Sequence, residues 1–172
     1  MNLVLIGYRG TGKSTVGRRL AEQLEMDFID ADDELERRAG QTIREIFASG
    51  GEAAFRDLEA VVIADLLHSD KRVLALGGGA VVRPENRMLI RQAKNCVIWL
   101  QAGAATLDRR ISVDTSTSQR RPNLTASGGL AEIERLLATR EPLYRECARF
   151  AVGTEDKTTE QIAAEVVSLL VA

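Results

Sequence analysis

"NLVLIGYRGTGKSTVGRRLAEQL" (residues 2–24) passes from an apolar run through a glycine-rich turn into a segment of helical period. Gly7, Gly12, Lys13 and Ser14 satisfy the pattern G-x-x-x-x-G-K-[ST], and a strand before it with a helix after it is the context that gives the pattern meaning. The glycines let backbone N–H groups turn inward around an anion. Lys13 adds a mobile point charge, and a helix starting near Ser14 aims its positive end at the same place. The Ser14 hydroxyl can ligate Mg²⁺. This is a P-loop, and it holds a nucleoside triphosphate.

Outward from it, short apolar runs alternate with longer helical segments: "LVLI" (3–6), "FI" (28–29), "VLAL" (73–76), "CVIWL" (96–100) and "FAV" (150–152). Five such runs separated by helices predict a five-stranded parallel sheet covered on both faces, a doubly wound α/β fold. Within "GEAAFRDLEAVVIADLLH" (51–68), Phe55, Leu58, Val62 and Leu66 recur at spacings of three and four, as one buried stripe with Arg56 beside it. "TIRE" (42–45) has the capping-box pattern and predicts a helix start. A last helix is expected from Thr158 or Thr159, with Ile162, Val166 and Leu169 or Leu170 facing the sheet. The stretch "SVDTSTSQRRPNLTASGG" (112–129) lacks apolar periodicity and is long for a connection, which marks it as a functional lid or a disordered segment.

A second-strand carboxylate is the usual metal partner of a P-loop, yet "VLAL" runs into Gly77, Gly78 and Gly79. The carboxylates lie in "DFIDADDE" (27–34), where Asp30 and Asp32 follow a short strand at the edge where open α/β sheets bind ligands. One can order Mg²⁺ and its waters, and the other can accept a proton from an attacking hydroxyl; both can also cap the next helix. "GGGA" (77–80) exposes backbone amides to close approach by a small polar ligand. Arg56, Arg121 and Arg140 supply guanidinium forks suited to carboxylate or phosphate.

Composition sets outer bounds. The 172 residues fit one domain, 45% hydrophobic and 28% charged is an ordinary globular balance, and a formal charge of −2 does not point to nucleic acid. Cys96 and Cys147 are far apart with no C-x-x-C spacing, so neither a zinc site nor a disulfide framework is expected. The N-terminal region, interrupted by Lys13 and Arg18, reads as no membrane anchor, and a cytoplasmic location is expected.

Taken together, "GYRGTGKST", "DADDE", "FR" (55–56), "GGGA", "RRP" (120–122) and "REPLYRE" (140–146) resemble the shikimate kinase family over nearly the whole chain. The resemblance implies a nucleoside monophosphate kinase-like fold over residues 1–172, a monomer, with a helical acceptor region at about 31–62 and a lid at about 112–129. It implies transfer of the ATP γ-phosphoryl group, with Mg²⁺, to the 3-hydroxyl of shikimate. On that likeness Gly10, Thr11, Gly12, Lys13, Ser14 and Thr15 hold nucleotide, and Arg110 flanks the adenine. Arg56 and Arg140 clamp the acceptor carboxylate, while Gly78 and Gly79 contact its ring. Asp32 binds the reacting hydroxyl and serves as base beside Lys13, Ser14, Asp30 and Asp32 serve the metal, and Arg121 closes over the phosphates. This chain departs from the family twice: "GTEDKTTEQ" (153–161) lacks the proline usual in the adenine loop, and added Ser and Thr before "RRP" leave Arg120 or Arg121 as the lid arginine and the register of Arg110 open. The alternatives are a kinase for another hydroxy acid such as gluconate and an inactive nucleotide-binding regulatory module.

Overall fold

Each of the five apolar runs becomes a strand: β1 (Asn2–Ile6), β2 (Asp27–Asp30), β3 (Arg72–Ala75), β4 (Asn95–Gln101) and β5 (Phe150–Gly153). The computed structural model describes residues 1–114 and 128–171. Its sheet has the order β2-β3-β1-β4-β5, with every neighbouring pair parallel. β1 is central and buried at all five positions. Because side chains alternate along a strand, Val4 and Ile6 enter one core with Leu74, Val97 and Trp99, and Leu3 and Leu5 enter the other with Val73, Cys96 and Ile98.

The second of these cores is closed by α1 (Lys13–Leu24), through Val16 and Leu20, and by α7 (Thr159–Val171), through Ile162 and Val166. The first is closed by α2 (Ala31–Ala39), α3 (Ile43–His68), α4 (Pro84–Ile90) and α6 (Gly129–Cys147). α5 (Ala104–Val113) packs Leu107 against Tyr8 and Ile133 in a smaller cluster.

The capping box at Thr42 forms: the Glu45 N–H donates to Thr42 Oγ1 at 3.2 Å and the Thr42 N–H donates to the Glu45 carboxylate at 2.7 Å. Thr42→Ala removes that acceptor, and a loss of about 1 kcal/mol in unfolding free energy is expected from chemical denaturation, with the m-value unchanged. The helix that starts here runs on to His68, broken only at Gly51, whose φ of 71° and ψ of −171° are not helical. The expected stripe needs one correction. Phe55, Val62 and Leu66 are buried, but Leu58 is 39% exposed and Glu59 takes the inward position, because it pairs with the buried Arg56.

Both thiols are buried and free, and burial raises both, Cys147 to about 11. At pH 8 only about one Cys147 in a thousand carries the reactive thiolate. A thiol-titrating disulfide reagent should therefore find neither cysteine in the native protein and both after denaturation. Rapid native labelling would contradict the packing. Among the described residues, no helix is long and apolar enough to cross a membrane.

Candidate active site

The carboxyl ends of β1, β2 and β3 open on one cavity of about 400 Å³. Its wall includes Gly10, Gly12, Lys13, Ser14 and Thr15 from the P-loop, Asp30 and Asp32 from the β2–α2 junction, Gly78 from the loop after β3, and Arg110 from α5. Motifs separated by as much as 100 residues thus converge on the edge where a central strand of a doubly wound sheet ends.

Gly12 sits at the N-cap of α1 with φ 88°, a left-handed backbone that lets the loop turn into the helix without strain. The Lys13 ammonium, 9% exposed, donates to the carbonyls of Gly7 at 2.8 Å and Tyr8 at 2.9 Å, so its charge is fixed at the floor of the loop. Thr11 does not reach the cavity wall. It is buried, and its hydroxyl donates back to the Tyr8 carbonyl at 2.8 Å, bracing the turn.

The two aspartates have different surroundings. Asp30 Oδ1 accepts the Asp32 N–H at 3.0 Å and caps α2, while Oδ2 accepts the Ser14 hydroxyl at 2.5 Å. Burial pushes its carboxyl pKa up, opposed by the Ser14 hydrogen bond. Of the readings of Asp30, the helix cap is realised, and the same side chain also accepts from the P-loop hydroxyl. Asp32, in the first turn of α2, is half-buried in the cavity wall. A serine hydroxyl and carboxylates are hard oxygen donors of the kind Mg²⁺ takes alongside phosphate oxygens, so the residues fit that ion. Among the described residues, no group of three or more His, Cys, Asp or Glu forms a metal cluster, and a P-loop site does not require one.

Arg110 ties α5 to the P-loop and to the loop after β5. Its guanidinium donates to the carbonyl of Gly10 at 3.2 Å, to Thr154 Oγ1 at 3.0 Å and to the Thr154 carbonyl at 2.9 Å. The Gly103 N–H donates to Glu155 Oε1 at 3.0 Å. The loop after β5, which lacks proline, is tied down by these polar bonds instead.

Arg56, Gly79 and Arg140 are not among the residues that line this cavity. Arg56 is 6% exposed, and Nη1 donates to Glu59 Oε2 at 2.6 Å. Its guanidinium lies so close over Gly79 that a Cβ there would fall inside it, which explains glycine at that position. Arg140, 7% exposed, has its guanidinium carbon 5.7 Å from the Tyr8 ring centre. Gly79 follows Gly78 and Tyr8 precedes Arg9; Gly78 and Arg9 line the cavity, so each arginine contacts a residue next to its wall. Arg120 and Arg121 lie outside the described residues, as does the lid apart from Ser112–Asp114 and Gly128–Gly129; Ser112 and Val113 end α5 and Gly129 starts α6.

Sequence reasoning missed Arg9, Arg18, Asp33 and Asp114 in the wall. Arg9 occupies a free position of the P-loop pattern and carries no signal. Arg18 could have been found, because it follows Ser14 by four residues and so shares its helix face.

The shikimate kinase family model matches residues 9–171. The chain belongs to the shikimate kinase family. A shikimate kinase of Nitrobacter winogradskyi is 46% identical over 169 residues, covering 98% of this chain and 76% of that protein. A solved shikimate kinase from Acinetobacter baumannii, in complex with shikimate, superposes with a TM-score of 0.92 at 36% identity, covering 99% of this chain and 92% of that one. A gluconokinase from Sinorhizobium meliloti superposes with a TM-score of 0.63 at 20% identity, a likeness of fold alone. Family membership makes the chain an ATP-dependent phosphotransferase with an alcohol acceptor.

Proposed function

We propose that the chain transfers the γ-phosphoryl group of ATP to the 3-hydroxyl of shikimate, giving shikimate 3-phosphate and ADP. The observation that carries this reading is the cavity in which P-loop, Asp32 and the triple-glycine loop meet, with the buried Arg56 against Gly79 and the buried Arg140 beside Tyr8. A small ring bearing one carboxylate and several hydroxyls matches such a set: guanidinium forks for the carboxylate, backbone amides and a carboxylate for the hydroxyls.

Phosphoryl transfer is mainly positioning and charge stabilisation of a loose transition state. Gly10 to Thr15 cradle the phosphates, Lys13 follows the charge on the transferring group, and Arg110 bounds the nucleotide side. Ser14, with Asp30 and Asp32 acting through water, would hold Mg²⁺, which would supply charge neutralisation at the phosphates. Asp32 orients the acceptor hydroxyl and takes its proton as the new O–P bond forms and the bond to the leaving ADP oxygen breaks. Arg56 and Arg140 hold the acceptor carboxylate, with Gly78 and Gly79 against the ring. Arg121 is assigned to the phosphates from the lid on the family's pattern.

A coupled assay of ADP release with ATP and Mg²⁺, run with shikimate, with gluconate and with no acceptor, tests the reading. Shikimate-dependent turnover is expected. Turnover with gluconate alone would overturn the arginine assignment, and nucleotide binding without turnover on either acid would make the chain a regulatory module.

A further inference from the structure

The triple-glycine loop is held by its carbonyls. Tyr144 in α6 donates its phenol proton to the Gly78 carbonyl at 2.5 Å. The Asn86 amide donates to the Ala80 carbonyl at 3.0 Å, and Arg87 Nη1 donates to the carbonyls of Val81 at 2.9 Å and Val82 at 3.0 Å. Two tight turns inside the loop use the amides of Ala80 and Val82. Among the described residues, the Gly77, Gly78 and Gly79 N–H groups make no backbone hydrogen bond.

There are no cis peptide bonds, and in a trans peptide the carbonyl of one residue and the N–H of the next point in opposite directions. A phenol that draws the Gly78 carbonyl toward α6 thereby turns the Gly79 N–H to the opposite side of the loop. Tyr144 is itself rigid: it is 0% exposed and its ring centre lies 5.7 Å from that of Trp99 on β4. Gly78 in turn is pressed on the P-loop, where an added Cβ would come within 3.3 Å of the Arg9 nitrogen and 3.5 Å of the Gly7 carbonyl oxygen. One turn earlier on the same helix, Arg140 reaches the Tyr8 ring.

We infer that Tyr144 is a positioning residue for the acceptor: its hydroxyl sets the plane of the Gly78–Gly79 peptide, and with it the direction of the amide offered to the acid. The inference rests on the acceptor reading above and adds to it a residue that touches neither substrate. Because the phenol is one helical turn from Arg140, α6 fixes a backbone donor and a guanidinium with one rigid body.

Tyr144→Phe tests this, since it keeps the ring against Trp99 and deletes only the hydroxyl. The expected result is a KM for shikimate raised about tenfold, as for loss of one well-aimed neutral hydrogen bond, with the ATP KM within about twofold of wild type. Val166→Ala, a core truncation on the opposite face of the sheet, serves as control for lost stability and should leave both KM values unchanged. Should Tyr144→Phe prove too unstable for kinetics, ligand-induced shifts in Tm read the same point: shikimate should stabilise it less than wild type while ATP stabilises both equally. An unchanged shikimate KM and thermal shift, or equal losses for both ligands, would overturn the positioning role. Failure of the wild type to use shikimate is a separate outcome and would remove the acceptor reading itself.

Discussion

Asp32→Asn is expected to lower kcat by about 10²- to 10⁴-fold, the range typical of a lost general base, with ATP affinity within about twofold of wild type. The substitution is nearly isosteric and removes the proton acceptor. Both aspartates line the cavity. Both oxygens of Asp30 are engaged in the same small structure, one on the α2 amide end and one on the Ser14 hydroxyl, which places it on the metal side with Ser14, and the family's pattern assigns the base to Asp32. Asp32 lines the cavity from the first turn of α2. Steady-state kinetics with shikimate decide the matter, and a kcat close to wild type in Asp32→Asn would reject it as base or orienting group.

The second large effect concerns Arg56, and a simple truncation would mix two causes. Loss of a charge-assisted pair to the acid should raise the shikimate KM about 10- to 100-fold. The same substitution strips Glu59, 3% exposed, of the guanidinium 2.6 Å away, and breaking a buried ion pair costs about 3–5 kcal/mol of stability. The two can be separated with Arg56→Met alone and combined with Glu59→Leu. The single variant should show both a low Tm and a high shikimate KM. Replacing the pair by apolar groups of similar volume should restore much of the Tm and none of the affinity. If shikimate affinity returned together with Tm, Arg56 would be a structural residue only; if the change lay in the ATP KM, the acceptor side has been misplaced.

The five strands were legible in the sequence because a sheet buried on both faces needs unbroken apolar runs, and four of the five runs here end at a glycine or an acid, while "CVIWL" ends at Gln101. The P-loop was legible because its spacing is dictated by a phosphate. What periodicity could not show was that Glu59 would displace Leu58 from the inner face of α3, since a hydrophobic pattern has no means of recording a buried ion pair. The separate reading of the segments on either side of Gly51 holds, because its non-helical φ and ψ divide α3 into two helical pieces at a kink. Arg56 and Arg140 were singled out as arginines, but spacing says nothing of depth: both are buried, and neither is among the residues that line the cavity. Tyr144 gave no signal, because its one distinguishing feature is a bond to a carbonyl 66 residues away.

The strand order has a consequence for how such a fold can change its acceptor. β2 and β3 lie on one flank of the central strand and carry Asp32 and the triple-glycine loop; β4 and β5 lie on the other and lead to Arg110 and Thr154. The residues proposed for the acid do not keep to the first flank, because Arg140 and Tyr144 sit on α6, between β4 and β5 in the chain. An engineer changing the acceptor would have to redraw the loop after β3, the facing turn of α3 and the inner face of α6 together. Acceptor choice in this fold is a matter for both flanks at once, joined across the central strand.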